Sequence, residues 1–229
     1  MIDKGSIIEF GEYPQTIKDE SIKIIKENPE KKGYYLGSDG CNYALVKAKT
    51  FGDYAFSNGK EIVDGEEYFF KVEPVQWEVL DINDGALLYT KDILDAQIFD
   101  MSSPKYAPSA IRQWLNNYFF KKTFSLNEQK QIIEETDKVF LLTVKDLKNS
   151  QYGYDSNIKN SKREKKPTDY AKANYAFSFF KNGNGNYWLQ DENQIRKDGV
   201  CYVDYEGNPE CNLVPYGING VVVAIKITL

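Results

Sequence analysis

Val75-Gln76-Trp77-Glu78-Val79-Leu80 is the first half of the clearest hairpin in this chain. Apolar and polar residues alternate up to Val79, which is the period of a strand with one buried face. Asn83-Asp84-Gly85 then supplies an Asp-Gly turn, and Ala86-Leu87-Leu88-Tyr89 returns as the partner strand. These residues predict two antiparallel strands joined by a tight turn, and the rest of the fold is arranged around them.

Two helices are predicted after this hairpin. Ser109 follows Pro108 as a helix N-cap, and apolar residues recur at helical spacing at positions 111, 114, 115 and 118. The second helix opens with a capping box from Ser125 to Glu128, and we expect it to run to about Glu135.

The C-terminal half is patterned as strands with long irregular connections. Strand candidates are 139–142, 187–189, a hairpin of 200–204 with 211–214, and 221–229. The polar run 149–166, which ends in the basic residues of 162–166, is expected to be a solvated loop. The predicted fold class is therefore α+β, with a mixed, mainly antiparallel sheet, two central helices and long irregular loops.

The N-terminal part is predicted to contain a strand over 6–10 that ends at Gly11, and a short helix within 17–32. Strand patterns and turn dipeptides fill 33–74. Because the chain is long enough to form one core, we predict a single domain over 1–229, with 17–67 as a β-rich insertion or sub-lobe.

The amino-acid composition argues against several classes of function. The 229 residues contain no histidine, so the commonest general base and the commonest zinc ligand are missing. Aromatic residues are abundant, with 17 Tyr, 13 Phe and 3 Trp, as in a rigid recognition surface. A net charge of -5 argues against nucleic acid as a partner, and no apolar run is long enough to predict a membrane span.

Three cysteines, Cys41, Cys201 and Cys211, show neither zinc-ligand spacing nor a disulfide framework. Cys201 and Cys211 flank the last predicted hairpin, so a cross-strand bond and free thiols are both open; a reducing cytoplasm favours thiols. No signal peptide is recognised, which predicts a cytoplasmic protein and leaves a surface or phage-associated location open.

Several motifs occur together in a characteristic order. They are Phe10-Gly11-Glu12-Tyr13-Pro14-Gln15-Thr16, Val75-Gln76-Trp77-Glu78-Val79-Leu80, Ile111-Arg112-Gln113-Trp114-Leu115-Asn116-Asn117, Phe124-Ser125-Leu126-Asn127-Glu128, Asp137-Lys138-Val139-Phe140-Leu141-Leu142, Lys166-Pro167-Thr168-Asp169-Tyr170-Ala171, Tyr187-Trp188-Leu189 and Tyr202-Val203-Asp204. In this order they resemble the bacterial and phage family catalogued as domain of unknown function 6273. The resemblance covers 6–16 and 68–229.

That family is distantly similar to the C-type-lectin-like fold, a class that includes formylglycine-generating enzymes. The resemblance implies such a fold here. Two departures stand out. Tyr187-Trp188-Leu189-Gln190-Asp191-Glu192-Asn193 lacks the Arg of a family motif that resembles Trp-Trp-Leu-Arg-Ser-Pro-Gly, and Gly220-Val221-Val222-Val223-Ala224-Ile225 lacks the Arg and Pro of the usual ending.

Lectin-like folds place their binding surface in the loop after the position of Trp188. The resemblance therefore implies a non-catalytic module that binds a protein or a glycan through its C-terminal loops. The candidate ligand-binding residues are Tyr187, Trp188, Asp191, Glu192, Asn193, Arg196, Tyr205 and Tyr216. No catalytic residue and no cofactor is predicted. Oxygen ligands at 191–193 leave calcium open, although no lectin calcium motif is present.

Two alternatives remain. An enzyme would use carboxylates or a thiol, and would need a cleft in which these groups converge. A scaffold or assembly protein would meet its partners through the β-rich lobe at 33–74, where an exposed apolar patch would mark the contact.

Overall fold

The structure, a computed structural model, describes residues 2–156 and 160–229. The strands are β1 (Ile7–Ile17), β2 (Ile24–Glu27), β3 (Tyr35–Gly37), β4 (Asn42–Lys47), β5 (Glu67–Asp81), β6 (Ala86–Thr90), β7 (Asp95–Ile98), β8 (Val139–Phe140), β9 (Tyr187–Glu192), β10 (Val200–Val203), β11 (Pro209–Leu213), β12 (Ile218–Val221) and β13 (Ala224–Ile227). The helices are α1 (Ala110–Trp114), which continues through a π-helical turn (Leu115–Phe119) into α2 (Phe120–Thr123), then α3 (Leu126–Gln129) and α4 (Asp169–Ala173). Three short 3-10 turns lie at Asp146–Lys148, Ser150–Tyr152 and Ser161–Arg163.

The first sheet has the strand order β2-β3-β4-β5-β6-β13-β8, and β1 pairs with the other edge of β5. Strand β5 is its centre, because β4 pairs with its first residues and β6 with its last. All of these pairings are antiparallel. The β5–β6 hairpin predicted from 75–89 is confirmed, with Asp84 and Gly85 both at positive φ as an Asp-Gly turn requires.

The second sheet has the order β11-β10-β9-β12-β7, and only its β9–β12 pair is parallel among the described strands. The predicted hairpin of 200–204 with 211–214 is confirmed as β10–β11. Buried side chains form two hydrophobic clusters: Trp77 and Trp188 lie in one, and Tyr89 and Tyr187 in the other. The protein is thus α+β and mostly antiparallel, as the sequence predicted, but the strands form two sheets rather than the one mixed sheet that was expected.

The segment 17–67 contributes β2, β3 and β4 to the first sheet rather than forming a sheet of its own. Asp169, buried at the start of α4, holds this segment to the rest of the chain. Its carboxylate accepts hydrogen bonds from the backbone N–H of Ile17 and of Ser57, and from the Ser57 hydroxyl. The prediction that 17–67 is an insertion or sub-lobe stays a prediction.

One predicted helix is absent from the described chain, and another is shorter than predicted. Within 17–32 the chain forms β2, because its β-branched isoleucines gain hydrogen-bonded pairing with β3 at the sheet edge. The helix expected to reach Glu135 ends at Gln129. Beyond it, the Ile133 N–H donates to the Lys226 carbonyl and Ile132 bridges Ile227, so pairing with β13 replaces the helix.

Two predicted strands also differ. Strand β1 does not end at Gly11 but continues to Ile17 through a register shift. Gly11 has φ +69, and a Cβ there would meet the Phe124 ring at 2.7 Å, so only glycine fits this bend. The strand expected over 221–229 is divided between β12 and β13, which belong to different sheets.

The basic run at 162–166 is not the solvated loop that was expected. Arg163 is fully buried, and its guanidinium donates to the carbonyls of Gly207 and Leu147. Lys165 is also buried and donates to the Thr90 carbonyl, while burial lowers its pKa to about 8. Backbone carbonyls satisfy the buried cations. Within the loop prediction for 149–166, residues 157–159 lie outside the described residues.

Candidate functional site

Tyr187 and Trp188 lie in the core rather than on a surface, so the structure corrects their predicted role in ligand binding. Both are fully buried in β9. The Tyr187 hydroxyl donates to the Arg163 carbonyl at 2.8 Å. The Trp188 indole N–H donates to the Gln97 carbonyl at 2.8 Å, and its ring packs edge-on against Phe99. In this arrangement they hold the second sheet together and present no face to a ligand.

The loop after β9 is held by its own polar side chains. Asp191 is half-buried and accepts a hydrogen bond from the Val144 backbone N–H at 2.7 Å; desolvation raises its pKa, and this bond opposes the rise. The Asn193 amide oxygen accepts from the N–H groups of Ile195 and Arg196, and its nitrogen donates to the Cys211 carbonyl. These contacts occupy one Asp191 oxygen and the Asn193 amide oxygen, and the Glu192 carboxylate takes no part in them.

Three other candidates are exposed: Glu192, Arg196 and Tyr216. Arg196 is exposed and pairs with Asp198 at 2.8 Å. Tyr216 is 61% exposed. Arg196 and Tyr216 are therefore both accessible to a ligand.

Cys201 and Cys211 are joined by a disulfide across the β10–β11 hairpin, which corrects the expectation that both are thiols. Their positions oppose each other between the pairs Val200–Leu213 and Tyr202–Glu210. Cys41 is a free, half-buried cysteine. Because a disulfide sulfur is not a thiolate nucleophile, an enzyme that used the Cys201 or Cys211 thiol would first need this bond reduced.

The eighth candidate, Tyr205, belongs to a line of six aromatic rings that we call the aromatic strip: Tyr175, Phe51, Phe177, Tyr205, Phe179 and Phe180. Neighbouring rings along it have centroids 4.2 to 5.8 Å apart. Tyr205 stacks on Phe179 at 4.2 Å, and Phe180 is 84% exposed. None of the six belongs to either hydrophobic cluster. The strip is a contiguous aromatic surface outside the core.

Residues 175–180 have inverted patterning. Ala176 and Ser178 are buried, whereas the large rings at 175, 177 and 179 are partly exposed and Phe180 is exposed. In an extended segment, alternate residues face opposite sides, and burial of apolar area normally turns the larger side chains inward. Here the small residues face the core, so the segment gives up hydrophobic stabilisation to keep aromatic rings at the surface.

Tyr175 adds a second unfavourable feature. Helix α4 ends in a Schellman motif, in which the Ala176 N–H bonds the Ala171 carbonyl and the Tyr175 N–H bonds the Lys172 carbonyl. Tyr175 occupies the left-handed position of this motif with φ 81, where glycine is usual. A side chain there costs about 1 kcal/mol. The strained backbone places the Tyr175 ring against Phe51.

Polar groups next to the strip are already used within the protein. The Asn184 amide nitrogen donates to the Glu164 carboxylate and to the Tyr205 carbonyl. Asp204 accepts from the backbone N–H groups of Glu206 and Asn208 and from the Asn208 amide. The strip therefore offers ring surface more than free hydrogen-bonding groups.

Sequence reasoning found Tyr205 and missed the other five rings. The available signal was the alternation of aromatic and small residues in Tyr175-Ala176-Phe177-Ser178-Phe179-Phe180, directly before the turn at Asn182-Gly183. This pattern predicts an extended segment with one aromatic face. Phe51 was beyond reach, because only the fold places it between Tyr175 and Phe177.

Comparison of the chain with protein-family models, curated proteins and solved structures gives no match. No helix in the described part of the chain is both long and apolar enough to cross a membrane. Within 2–156 and 160–229, no group of three or more Asp, Glu or Cys side chains is placed to hold a metal ion.

Proposed function

We propose that this protein is a non-catalytic binding module that recognises a protein partner through the aromatic strip. The observation that supports the proposal is the inverted patterning of 175–180, where buried Ala176 and Ser178 keep large rings on the surface. Exposure of these rings and the strained backbone at Tyr175 both lower the stability of the fold. Features that cost stability in this way are typical of binding sites.

The chemistry of the strip favours a protein over a glycan. Four of its six residues are phenylalanines, which bring no hydroxyl, and the neighbouring amide of Asn184 and carboxylate of Asp204 are bonded internally. A glycan presents many hydroxyls that would lose water without finding partners here. A protein segment with aliphatic or aromatic side chains would bury the rings without that cost.

Mutual packing prepares the rings for binding. Each ring contacts at least one other in the strip: three pairs meet edge-to-face, one pair is tilted and one is stacked. Rings held in this way lose little conformational freedom when a partner binds. Aromatic side chains are also the residues that most often dominate binding energy at protein interfaces.

We also propose that the chain belongs to the family of unknown function named above and shares its lectin-like fold. The support is the ordered set of motifs and the position of the helices before the C-terminal strands. In lectin-like folds the C-terminal loops form the binding surface. Tyr205 lies on the β10–β11 turn, so it belongs both to the C-terminal loops and to the aromatic strip.

A displayed random-peptide library selected on the wild-type protein tests the proposal. We expect the enriched peptides to carry aliphatic or aromatic anchors, and to bind the double variant Phe51→Ser/Phe180→Ser at least tenfold more weakly. Both residues are exposed, at 54% and 84%, so the fold should tolerate their replacement.

The matched control is Met101→Ser/Leu126→Ser, which removes two apolar side chains that are also exposed, at 71% and 76%, but lie outside the strip. It should leave peptide binding unchanged. Equal losses in both double variants would contradict the proposal. If the protein bound a glycan on an array, and this binding depended on Phe51 and Phe180, the partner of the strip would be a glycan rather than a protein.

A further inference from the structure

A groove of about 510 Å³ lies between the start of α1, strand β8 and strand β9, and none of the six strip residues lines it. Tyr106, Arg112, Glu135, Asp137, Phe140 and Gln190 line it. A neighbouring cavity of about 250 Å³ shares Glu135 and Phe140 with the groove and is also lined by Lys226. The groove's own volume is in the range of small-molecule sites.

An ion pair without net charge forms one wall. The Arg112 Nε–H donates to both Asp137 oxygens at 2.8 Å, Nη2 lies 2.8 Å from Oδ1, and Nη1 donates to the Ala107 carbonyl. A guanidinium has five N–H groups, so each terminal nitrogen keeps one N–H without a partner among the described residues. The Asp137 carboxylate likewise keeps acceptor capacity.

Gln190 also lines the groove. Its backbone N–H donates to the Leu142 carbonyl, but its half-buried side-chain amide has no hydrogen-bond partner in the part of the chain that the structure describes. A primary amide presents a donor and an acceptor side by side. That arrangement matches a hydroxyl group, which both donates and accepts.

Aromatic rings line the rest of the groove, and no cation among the residues described there lacks a carboxylate partner. The Glu135 carboxylate lies 2.7 Å from Lys226, which also pairs with Asp84 at 3.5 Å, so carboxylates outnumber cations at this end. Phe140 and Tyr106, both half-buried, supply ring surface on which an aliphatic ring face can pack. The groove thus combines paired charges, free donors and acceptors, and aromatic surface.

We propose that this groove is a second binding site, and that it takes an uncharged polyhydroxyl ligand: one or two sugar residues of a neutral glycan. Because Arg112 and Lys226 are already paired with carboxylates, the groove as described offers no free cation to an anionic ligand, whereas the spare donors and acceptors of the Arg112–Asp137 pair, with the Gln190 amide, can bond vicinal hydroxyls. The C–H face of a sugar ring would lie on Phe140 or Tyr106. This site does not depend on the aromatic strip.

Saturation-transfer NMR with a panel of free sugars tests the proposal. The panel contains glucose, galactose, mannose, N-acetylglucosamine and their disaccharides, with glucuronic acid as the charged counterpart. We expect at least one neutral sugar to bind, and its Kd to rise at least fivefold in Gln190→Ala. A disaccharide that binds more tightly than its monosaccharide would indicate that the ligand is the end of a glycan rather than a free sugar.

Gln194→Ala is the matched control, because this exposed glutamine follows β9 in the connection to β10 and lies outside the groove. It should bind as the wild type does. Arg112→Lys, which keeps a cation beside Asp137, should weaken binding as well, and a thermal melt shows whether it folds. The double variant Phe51→Ser/Phe180→Ser should bind sugars as the wild type does, whether or not it still binds peptides.

Three outcomes would overturn the proposal. They are no saturation transfer from any neutral sugar, tighter binding of glucuronic acid than of glucose, and equal affinity in wild type and Gln190→Ala. Because the strip variants are measured in parallel, failure here is distinguishable from failure of the proposed protein-binding surface.

Discussion

Trp188 and Phe180 lie in neighbouring parts of the chain, yet one is fully buried and the other is 84% exposed. Trp188 belongs to β9, a strand flanked by β10 and β12, and its indole packs against Phe99. Phe180 ends an irregular segment whose inward positions are taken by Ala176 and Ser178. Strand pairing and the neighbours at alternate positions, rather than ring size, decide which aromatic residues stabilise the fold and which face solvent.

The largest expected effect lies on the buried side of this comparison. Trp188→Ala should lower the free energy of unfolding by about 3–5 kcal/mol, because it empties a packed site and leaves the Gln97 carbonyl without its donor. Phe180→Ala should change it by less than about 0.5 kcal/mol. Urea denaturation of both variants measures the difference.

Trp188→Phe is the milder variant to use if Trp188→Ala does not fold. It keeps an aromatic ring, so it should lower the free energy of unfolding by less. Similar losses in Phe180→Ala and Trp188→Phe would mean that the strip supports the fold as the core does. The distinction between the two regions would then disappear.

A buried carboxylate should give the core a pH dependence that the strip lacks. Asp95 is 3% exposed, and its carboxylate accepts a hydrogen bond from the Tyr13 hydroxyl at 2.6 Å. Burial raises the pKa of Asp95 to about 6, although the Tyr13 bond opposes the rise. The folded protein therefore holds this proton more tightly than the unfolded chain, whose aspartates titrate near pH 4.

Stability from Asp95 is complete below about pH 4 and is lost as the pH rises through about 6. The loss is about 3 kcal/mol, at 1.36 kcal/mol for each pKa unit. Asp95→Asn should flatten this part of the stability curve, as measured by urea denaturation from pH 4 to pH 7. Asp53→Asn, at an exposed position, is the matched control. An unchanged slope in Asp95→Asn would show that another group titrates.

The smallest expected effect concerns Tyr175, which has both a strained backbone and a partly exposed ring. Tyr175→Gly and Tyr175→Ala both remove the ring, but only glycine relieves the left-handed backbone. The glycine variant should therefore be more stable than the alanine variant by about 1 kcal/mol, as thermal and urea unfolding would show. Both variants should weaken binding of strip-selected peptides to a similar degree.

Equal stability of the two variants would mean that φ at this position relaxes when the ring is removed. The strip would then carry no backbone strain. A glycine variant that binds peptides as well as the wild type would exclude the Tyr175 ring from the binding surface.

Local signals predicted the parts of this fold that local chemistry decides. The Asp-Gly turn specified the β5–β6 hairpin, and the capping residues Ser109 and Ser125 correctly placed two helix starts. The errors arise where a distant strand competes for the same residues. The second helix yields to pairing with β13, and Ile24–Glu27 becomes a strand because β3 lies beside it.

The candidate site also combines features that the local sequence predicts with features that depend on distant residues. Tyr205 was predicted on the surface of a C-terminal turn and lies in the aromatic strip. Tyr187 and Trp188 were expected beside it, but aromatic residues in a strand can face either side, and pairing with β10 and β12 buries both. Phe51 and the groove at Arg112 and Gln190 join residues far apart in sequence, so no local pattern could reveal them.

The position of β13 has a consequence for biosynthesis. This strand, Ala224–Ile227, lies between β6 and β8, so the first sheet has an open seam until these residues have been made. A nascent chain displays the unpaired edges of β6 and β8 until Ala224–Ile227 has emerged, and such edges invite pairing with other chains. The first sheet can therefore close only once β13 is available, and premature termination before residue 224 should yield aggregates rather than a smaller folded protein.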